Sequence, residues 1–177
     1  MMRKYLFIGW AVWMVVILGI IPSCSQDKVT SRLAWGKYYL WNAPDSSYRI
    51  LNAIPFPDKL SVEEQACYAL LMTQAMYRCG HKISSDSLIN IAVQYYSSQG
   101  NADDKASALL YKGYILEDLG QDNEALYAYK QAEEAVKTVK DLRIHFLIYT
   151  ALGNINGRYA HYEQSLSYYR KALDLNL

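Results

Sequence analysis

The sequence predicts an all-α fold assembled from antiparallel helix pairs. No segment shows the strict polar–apolar alternation of a half-buried strand, and after residue 31 Pro and Gly occur only at isolated positions. Helix-start signals recur at short intervals, and one set of small and aromatic residues returns at a spacing of forty residues. Because the connections between helices are only a few residues long, neighbouring helices must pack antiparallel.

Each predicted helix begins at a recognisable signal. Pro44 and Asp45 open one helix, since Pro at the first helical position has no N–H to leave unpaired. Ser61 and Glu64 have the spacing of a capping box, and Asp122 marks another start. The eight predicted helices span residues 30–42, 45–54, 62–79, 85–97, 103–119, 122–138, 142–158 and 161–175.

A pattern of small and aromatic residues defines a repeat. Small residues let the two helices of a pair approach closely, and an aromatic side chain fills the space toward the next pair. The pattern is Gly113, Gly120, Ala125, Tyr129 and Ala132, which returns as Gly153, Ala160, Ser165, Tyr169 and Ala172 and is preceded by Gly80, Ser85, Ile89 and Ala92. The repeats span approximately 62–100, 102–140 and 142–177, and an atypical helix pair at 32–60 is expected to cap the stack.

This pattern resembles the tetratricopeptide repeat, in which a small residue in helix A and a turn glycine precede a small–aromatic–small series in helix B. The unit containing Gly153, Tyr169 and Ala172 is the closest match. The units depart from the family in their length of forty rather than thirty-four residues, in lacking the terminal proline, and in carrying Thr73 at a glycine position. The resemblance implies a right-handed superhelix, a tetratricopeptide-like α-solenoid that binds a protein or peptide without catalysis.

The resemblance also implies a partner-binding groove, because helix A lines the concave face in this family. Its ligand-facing positions lie about six and three residues before, and one, four and five residues after, the first glycine of the repeat. Leu110 and Tyr114 stand where the basic carboxylate clamp of chaperone-binding members would need Lys and Asn, so that variant is not expected. The alternative is a merely solvated face. The predicted groove residues are Gln74, Tyr77, Arg78, Leu110, Tyr114, Glu117, Asp118, Thr150, Asn154 and Arg158.

The N-terminus predicts an export signal over residues 1–23. A basic start precedes an apolar run, and the residues from Ile21 to Cys24 resemble the lipobox of bacterial lipoproteins, although Pro22 is an unusual occupant. Lipidation of Cys24, for example with palmitate, is therefore expected, followed by a polar tether over 24–31. An uncleaved anchor and ordinary cleavage are the alternatives, since 16 apolar residues, 6 to 21, fall short of the roughly 20 of a spanning helix.

The whole arrangement resembles the tetratricopeptide lipoproteins and membrane-sensor input domains of the Bacteroides group. Ser25 after the cysteine implies the outer membrane of a Gram-negative cell, at its periplasmic face or surface. The leading hypothesis is a membrane-anchored scaffold that holds a protein or peptide. The alternatives are the input domain of a signalling or transcription-regulating membrane protein, truncated before its transmembrane segment, and an accessory lipoprotein for polysaccharide handling through the seventeen tyrosines.

Composition and motifs argue against other classes. Loss of Arg3 and Lys4 with the signal leaves 16 basic and 17 acidic residues, without the basic clusters of a nucleic-acid surface. No catalytic signature, metal site or cofactor site is found, so no enzyme activity is expected. Cys67 and Cys79, twelve residues apart in one predicted helix, would lie about 18 Å apart, too far for a disulfide, and are expected to be buried thiols.

Overall fold

The computed structural model describes residues 23–175, with residues 23–27 described by their backbone alone. This range contains eight α-helices, one short 3-10 helix and no strand, which confirms the predicted all-α class. The predicted signal peptide, except for Ser23, lies outside the described residues. The helices are α1 (Ser23–Tyr39), α2 (Pro44–Asn52), the 3-10 helix (Pro57–Lys59), α3 (Val62–Arg78), α4 (Ser87–Ser98), α5 (Ala102–Asp118), α6 (Asp122–Val136), α7 (Leu142–Arg158) and α8 (Tyr162–Leu173).

The largest departure from the predicted boundaries is at α1, which begins at Ser23 rather than near residue 30. The segment predicted as a tether, 24–31, is therefore helical. Val29 and Leu33, one turn apart, are both buried and belong to the same apolar cluster as Leu51 of α2. Because no Pro or Gly interrupts this segment, the helix extends toward the N-terminus beyond the point where its sequence becomes polar.

Side chains cap three helix starts. The Ser61 backbone N–H donates to Glu64 Oε2 at 3.1 Å and the Glu64 N–H donates to Ser61 Oγ at 3.3 Å, which is the predicted capping box. Asn101 Oδ1 accepts from a backbone N–H in the first turn of α5, and Asp141 Oδ1 does the same for α7. These caps hold the N-terminal ends of α3, α5 and α7, on which the candidate site depends.

The helices form two layers. Each helix packs against the next along the chain, and α1–α3, α3–α5 and α5–α7 are also in contact. Within residues 23–175 the backbones of two even-numbered helices do not approach each other in this way, although side chains of α6 and α8 meet where Glu133 pairs with Lys171 at 3.1 Å. The array is therefore tighter on the side of the odd-numbered helices, which makes that side the inner face.

Close glycine contacts join the helices of a pair. A Cβ added to Gly113 of α5 would lie 2.2 Å from Cε1 of Tyr129 in α6, and one added to Gly153 of α7 would lie 2.7 Å from Cε1 of Tyr169 in α8. Both distances are shorter than any carbon–carbon contact tolerates, so only glycine lets the tyrosine ring lie flat on the facing helix. The same contact therefore holds two successive pairs together.

The first helix pair uses the same contact. A Cβ on Gly36 of α1 would lie 2.6 Å from Cδ2 of Leu51 in α2. Ser47 Oγ donates to the Gly36 carbonyl at 2.7 Å, just as Ser165 Oγ donates to the Gly153 carbonyl at 2.8 Å. The pair that fits the sequence frame poorly thus has the packing of the other pairs, with Leu in place of Tyr and a spacing one residue shorter.

The pair α3/α4 narrows the size difference between the two residues. Thr73 occupies the position of Gly113 in the frame, and Ile89 occupies the position of Tyr129. Both side chains are buried, and Thr73 Oγ1 has no hydrogen-bond partner. Compared with the α5/α6 pair, the residue on the odd-numbered helix is larger and the residue on the even-numbered helix is smaller. The total side-chain volume at the interface is thereby roughly conserved.

We expect Gly113→Ala to lower the free energy of unfolding by about 1–3 kcal/mol, because the added methyl group collides with the buried Tyr129 ring. In a Tyr129→Ile background, the same substitution should be neutral or stabilising, since the space is open and Ala favours a helix over Gly by about 1 kcal/mol. Denaturant unfolding of the four proteins measures this coupling. Additive effects would show that the two residues do not form the interhelical contact.

Candidate binding groove

A cavity of about 410 Å³ opens on the inner face of the array. All four odd-numbered helices, or the residues that immediately flank them, contribute to its walls. The walls combine charged, amide and aromatic side chains with aliphatic ones. The lining residues are Lys37, Leu40, Trp41, Leu70, Leu71, Gln74, Asn101, Asp103, Asp104, Ser107, Asp141, Arg143 and Ile144.

Trp41, just after α1, connects distant parts of the chain. The guanidinium carbon of Arg78 lies 4.3 Å from the centroid of the Trp41 ring, and that of Arg143 lies 4.9 Å from it. Arg78 also donates to the carbonyls of Leu40 at 3.1 Å and Trp41 at 3.3 Å. These cation–π contacts and hydrogen bonds join α1 to α3 and to α7, so the first and last pairs meet at the cavity.

The cavity carries both signs of charge. Lys37 Nζ lies 3.7 Å from Asp104 Oδ1, and an Arg143 amino group lies 2.8 Å from Asp141 Oδ2. The hydrogen bond from Arg143 holds the pKa of Asp141 below its usual value, so this carboxyl group is ionised at neutral pH. With Asp103, the lining presents three carboxylates and two cations.

The predicted groove residues differ in their access to the cavity, and even Gln74, which reaches it, is only 4% exposed. Gln74 lines the cavity, and Arg78 borders it through Trp41. Leu110, by contrast, is fully buried in the main apolar cluster and offers no surface to a partner. The position that the family resemblance assigns to the groove therefore lies in the core of this protein, because neighbouring helices pack against both sides of α5.

Four other predicted residues belong to one continuous network. The rings of Tyr77 and Tyr114 stack 4.9 Å apart, and Tyr114 meets the edge of Tyr129 at 5.7 Å. The Tyr129 hydroxyl donates to Glu117 Oε2 at 2.7 Å, and Glu117 pairs with Arg158 at 3.0 Å. This network links α3, α5, α6 and α7, so these side chains already have partners within the protein.

Burial keeps the phenols of this network protonated. Desolvation, followed by the nearby Asp118 and Glu117 carboxylates, raises the pKa of Tyr77 to about 12. The pKa of Tyr129 is also raised, first by burial and then by its hydrogen bond to Glu117. Both tyrosines are therefore neutral at physiological pH and serve as contacts between helices, Tyr77 through its ring and Tyr129 also as a hydrogen-bond donor.

The remaining predicted residues lie nearer the solvent. Asn154 is exposed, and its Oδ1 accepts from the Tyr169 hydroxyl at 2.6 Å. Thr150 is half-buried on α7, and Asp118 is exposed at the end of α5. None of these three lines the cavity. Of the ten predicted positions, only Gln74 does so directly.

Sequence reasoning missed the contribution of the first helix pair. Counted from Gly36, the first, fourth and fifth following residues are Lys37, Leu40 and Trp41, and all three line the cavity. The rule that was applied to the later units would have selected them. The sequence signal for this contribution is the Gly36–Ser47 pair. It is hard to recognise because its spacing is one residue shorter than that of the repeat frame.

No protein-family model, curated protein or solved structure matches the chain.

Two further kinds of feature are absent from residues 23–175. In this range no cluster of three or more His, Cys, Asp and Glu side chains could hold a metal ion. No helix of the same range combines the length and the apolar character needed to cross a membrane. Cys67 and Cys79 are free thiols, as predicted, but both are half-buried rather than buried, and desolvation raises the pKa of each.

Proposed function

We propose that the protein is a tetratricopeptide-like scaffold whose inner-face cavity holds a segment of a protein or peptide partner. This proposal rests on one observation: all four odd-numbered helices, or the residues that immediately flank them, line a single cavity. Such a site is assembled only when the whole array is folded. A rigid wall of this kind suits binding, because little side-chain freedom is lost when a partner enters.

The chemistry of the cavity supports a polar, extended occupant. The carboxylates of Asp103, Asp104 and Asp141 accept hydrogen bonds, and Lys37 and Arg143 donate them. A peptide backbone offers both donors and acceptors in alternation, so it can satisfy both kinds of group. The aliphatic side chains and Trp41 provide the apolar floor that binding grooves commonly have.

The proposal includes a lipid anchor at Cys24. The apolar run and the lipobox of the sequence support it. Thirteen residues of α1 separate Cys24 from Lys37, which corresponds to about 20 Å along a helix. An acylated cysteine would therefore hold the cavity within about 20 Å of the membrane.

Charge reversal at the cavity tests the proposed function. A random dodecapeptide library displayed on phage would supply the probe, as the peptide most enriched on the immobilised protein. Lys37→Glu combined with Arg143→Glu should weaken binding of this peptide by about tenfold or more, because both cations at the mouth become repulsive to its acceptors. Calorimetry gives the affinity, and circular dichroism checks that helicity is retained.

Lys59→Glu combined with Lys82→Glu is the matched control. Both lysines are exposed and lie outside the cavity, and the net charge changes by the same amount. This control should bind the peptide like the unaltered protein. Equal weakening in both double variants, or failure of the library to enrich any peptide, would refute binding at the cavity.

Mass spectrometry of the intact protein from a Gram-negative host tests the anchor. The unaltered chain should begin at Cys24, carry acyl groups and incorporate labelled palmitate. Cys24→Ser should lose the label and keep the N-terminal residues, whereas Cys67→Ser should retain the label. An unaltered chain that begins at Met1 without lipid would contradict lipidation.

A further inference from the structure

The last helix, α8, exposes an apolar stripe. Its four residues recur at intervals of four, three and four, so they follow one side of the helix. Exposed apolar stripes of this size on a folded protein commonly mark sites of association. The stripe consists of Tyr162 (70% exposed), Leu166 (49%), Tyr169 (36%) and Leu173 (78%).

The corresponding positions of α6 show what such a surface normally contacts. Leu126 is half-buried and Tyr129 and Glu133 are buried, since Tyr129 lies on Gly113 of α5 and Glu133 pairs with Lys171 of the next even-numbered helix. The stripe on α8 thus has the position of a helix-packing surface. Tyr169 already rests on Gly153 of α7, but within residues 23–175 no further helix packs its backbone against the stripe. An α-helix is the element whose shape this surface fits.

The charges beside the stripe are complementary to a second copy of α8. Glu163 and Arg170 are two helical turns apart, so they lie one above the other and form a charged line parallel to the stripe. This line runs along the side of the stripe that faces away from α7. Neither residue forms an ion pair among the described residues. On the opposite side of the stripe, Ser165 and Ala172 are buried.

We infer that α8 pairs antiparallel with α8 of a second copy of this chain, giving a two-fold dimer. A two-fold axis perpendicular to the helices keeps the charged lines of both copies on the same side of the interface. Glu163 of each copy then lies opposite Arg170 of the other. A parallel pairing, with its axis along the helices, would instead put the two charged lines on opposite sides of the interface, where Glu163 and Arg170 could not meet.

The apolar residues also match in this arrangement. With the axis passing between residues 167 and 168, Leu166 faces Tyr169 of the second copy, and Tyr162 faces its Leu173. The stripe follows the alternating three- and four-residue spacing of a coiled-coil seam, with Glu163 and Arg170 at flanking positions that set partner and orientation. The dimer would present two cavities, which would raise the avidity for a repeated or clustered partner.

The test uses two differently tagged copies of the full chain, co-expressed and purified in detergent by one tag. The unaltered copies should co-purify. Glu163→Arg in both copies, or Arg170→Glu in both, should reduce capture on the order of tenfold, because like charges then face each other twice. One copy with Glu163→Arg and the other with Arg170→Glu should restore capture.

Glu134→Arg in both copies is the control, since Glu134 is exposed on α6 and the charge change is the same. It should leave capture unchanged. Absence of capture between unaltered copies would overturn the dimer and indicate that another segment or another protein covers α8. Capture that all charge variants leave unchanged, or that the mixed pair fails to restore, would equally overturn the antiparallel pairing.

Discussion

The close contact between a small residue on an odd-numbered helix and a larger side chain on the following helix determines the architecture. In α5/α6 and α7/α8 the pair is glycine and tyrosine, and in α1/α2 it is glycine and leucine. Because glycine lacks a Cβ atom, a whole tyrosine ring can lie against the facing backbone. This contact sets the distance between the two helices. Three of the four pairs share this contact, and the pairs stack with their odd-numbered helices touching one another.

The candidate groove is a consequence of that stacking. Contacts between successive odd-numbered helices bring residues 37–41 near residues 141–144, more than one hundred positions away in the chain. Trp41, between Arg78 and Arg143, holds this approach and forms part of the cavity wall. A partner that entered there would contact the first and last pairs at once, so its binding would depend on the curvature of the array.

Periodicity and capping signals sufficed to predict the helices, because both are local properties of the chain. The limits of α7 agree with the prediction at both ends, and the capping box at Ser61 is present. The groove was less predictable, since it depends on how far each pair is rotated against the next. That rotation places the predicted Leu110 in the core and brings the unpredicted Lys37 and Trp41 to the cavity.

Proton–proton contacts measured by nuclear magnetic resonance test the role of these glycines most directly. The account predicts strong cross-peaks from the Gly113 Hα protons to the Tyr129 ring, from Gly153 to Tyr169, and from Gly36 to the methyl groups of Leu51. The glycine protons in the first two pairs should also be shifted by the ring currents. Cross-peaks for the two later pairs without one for Gly36 would contradict a common packing contact, and absence of all three would contradict the architecture.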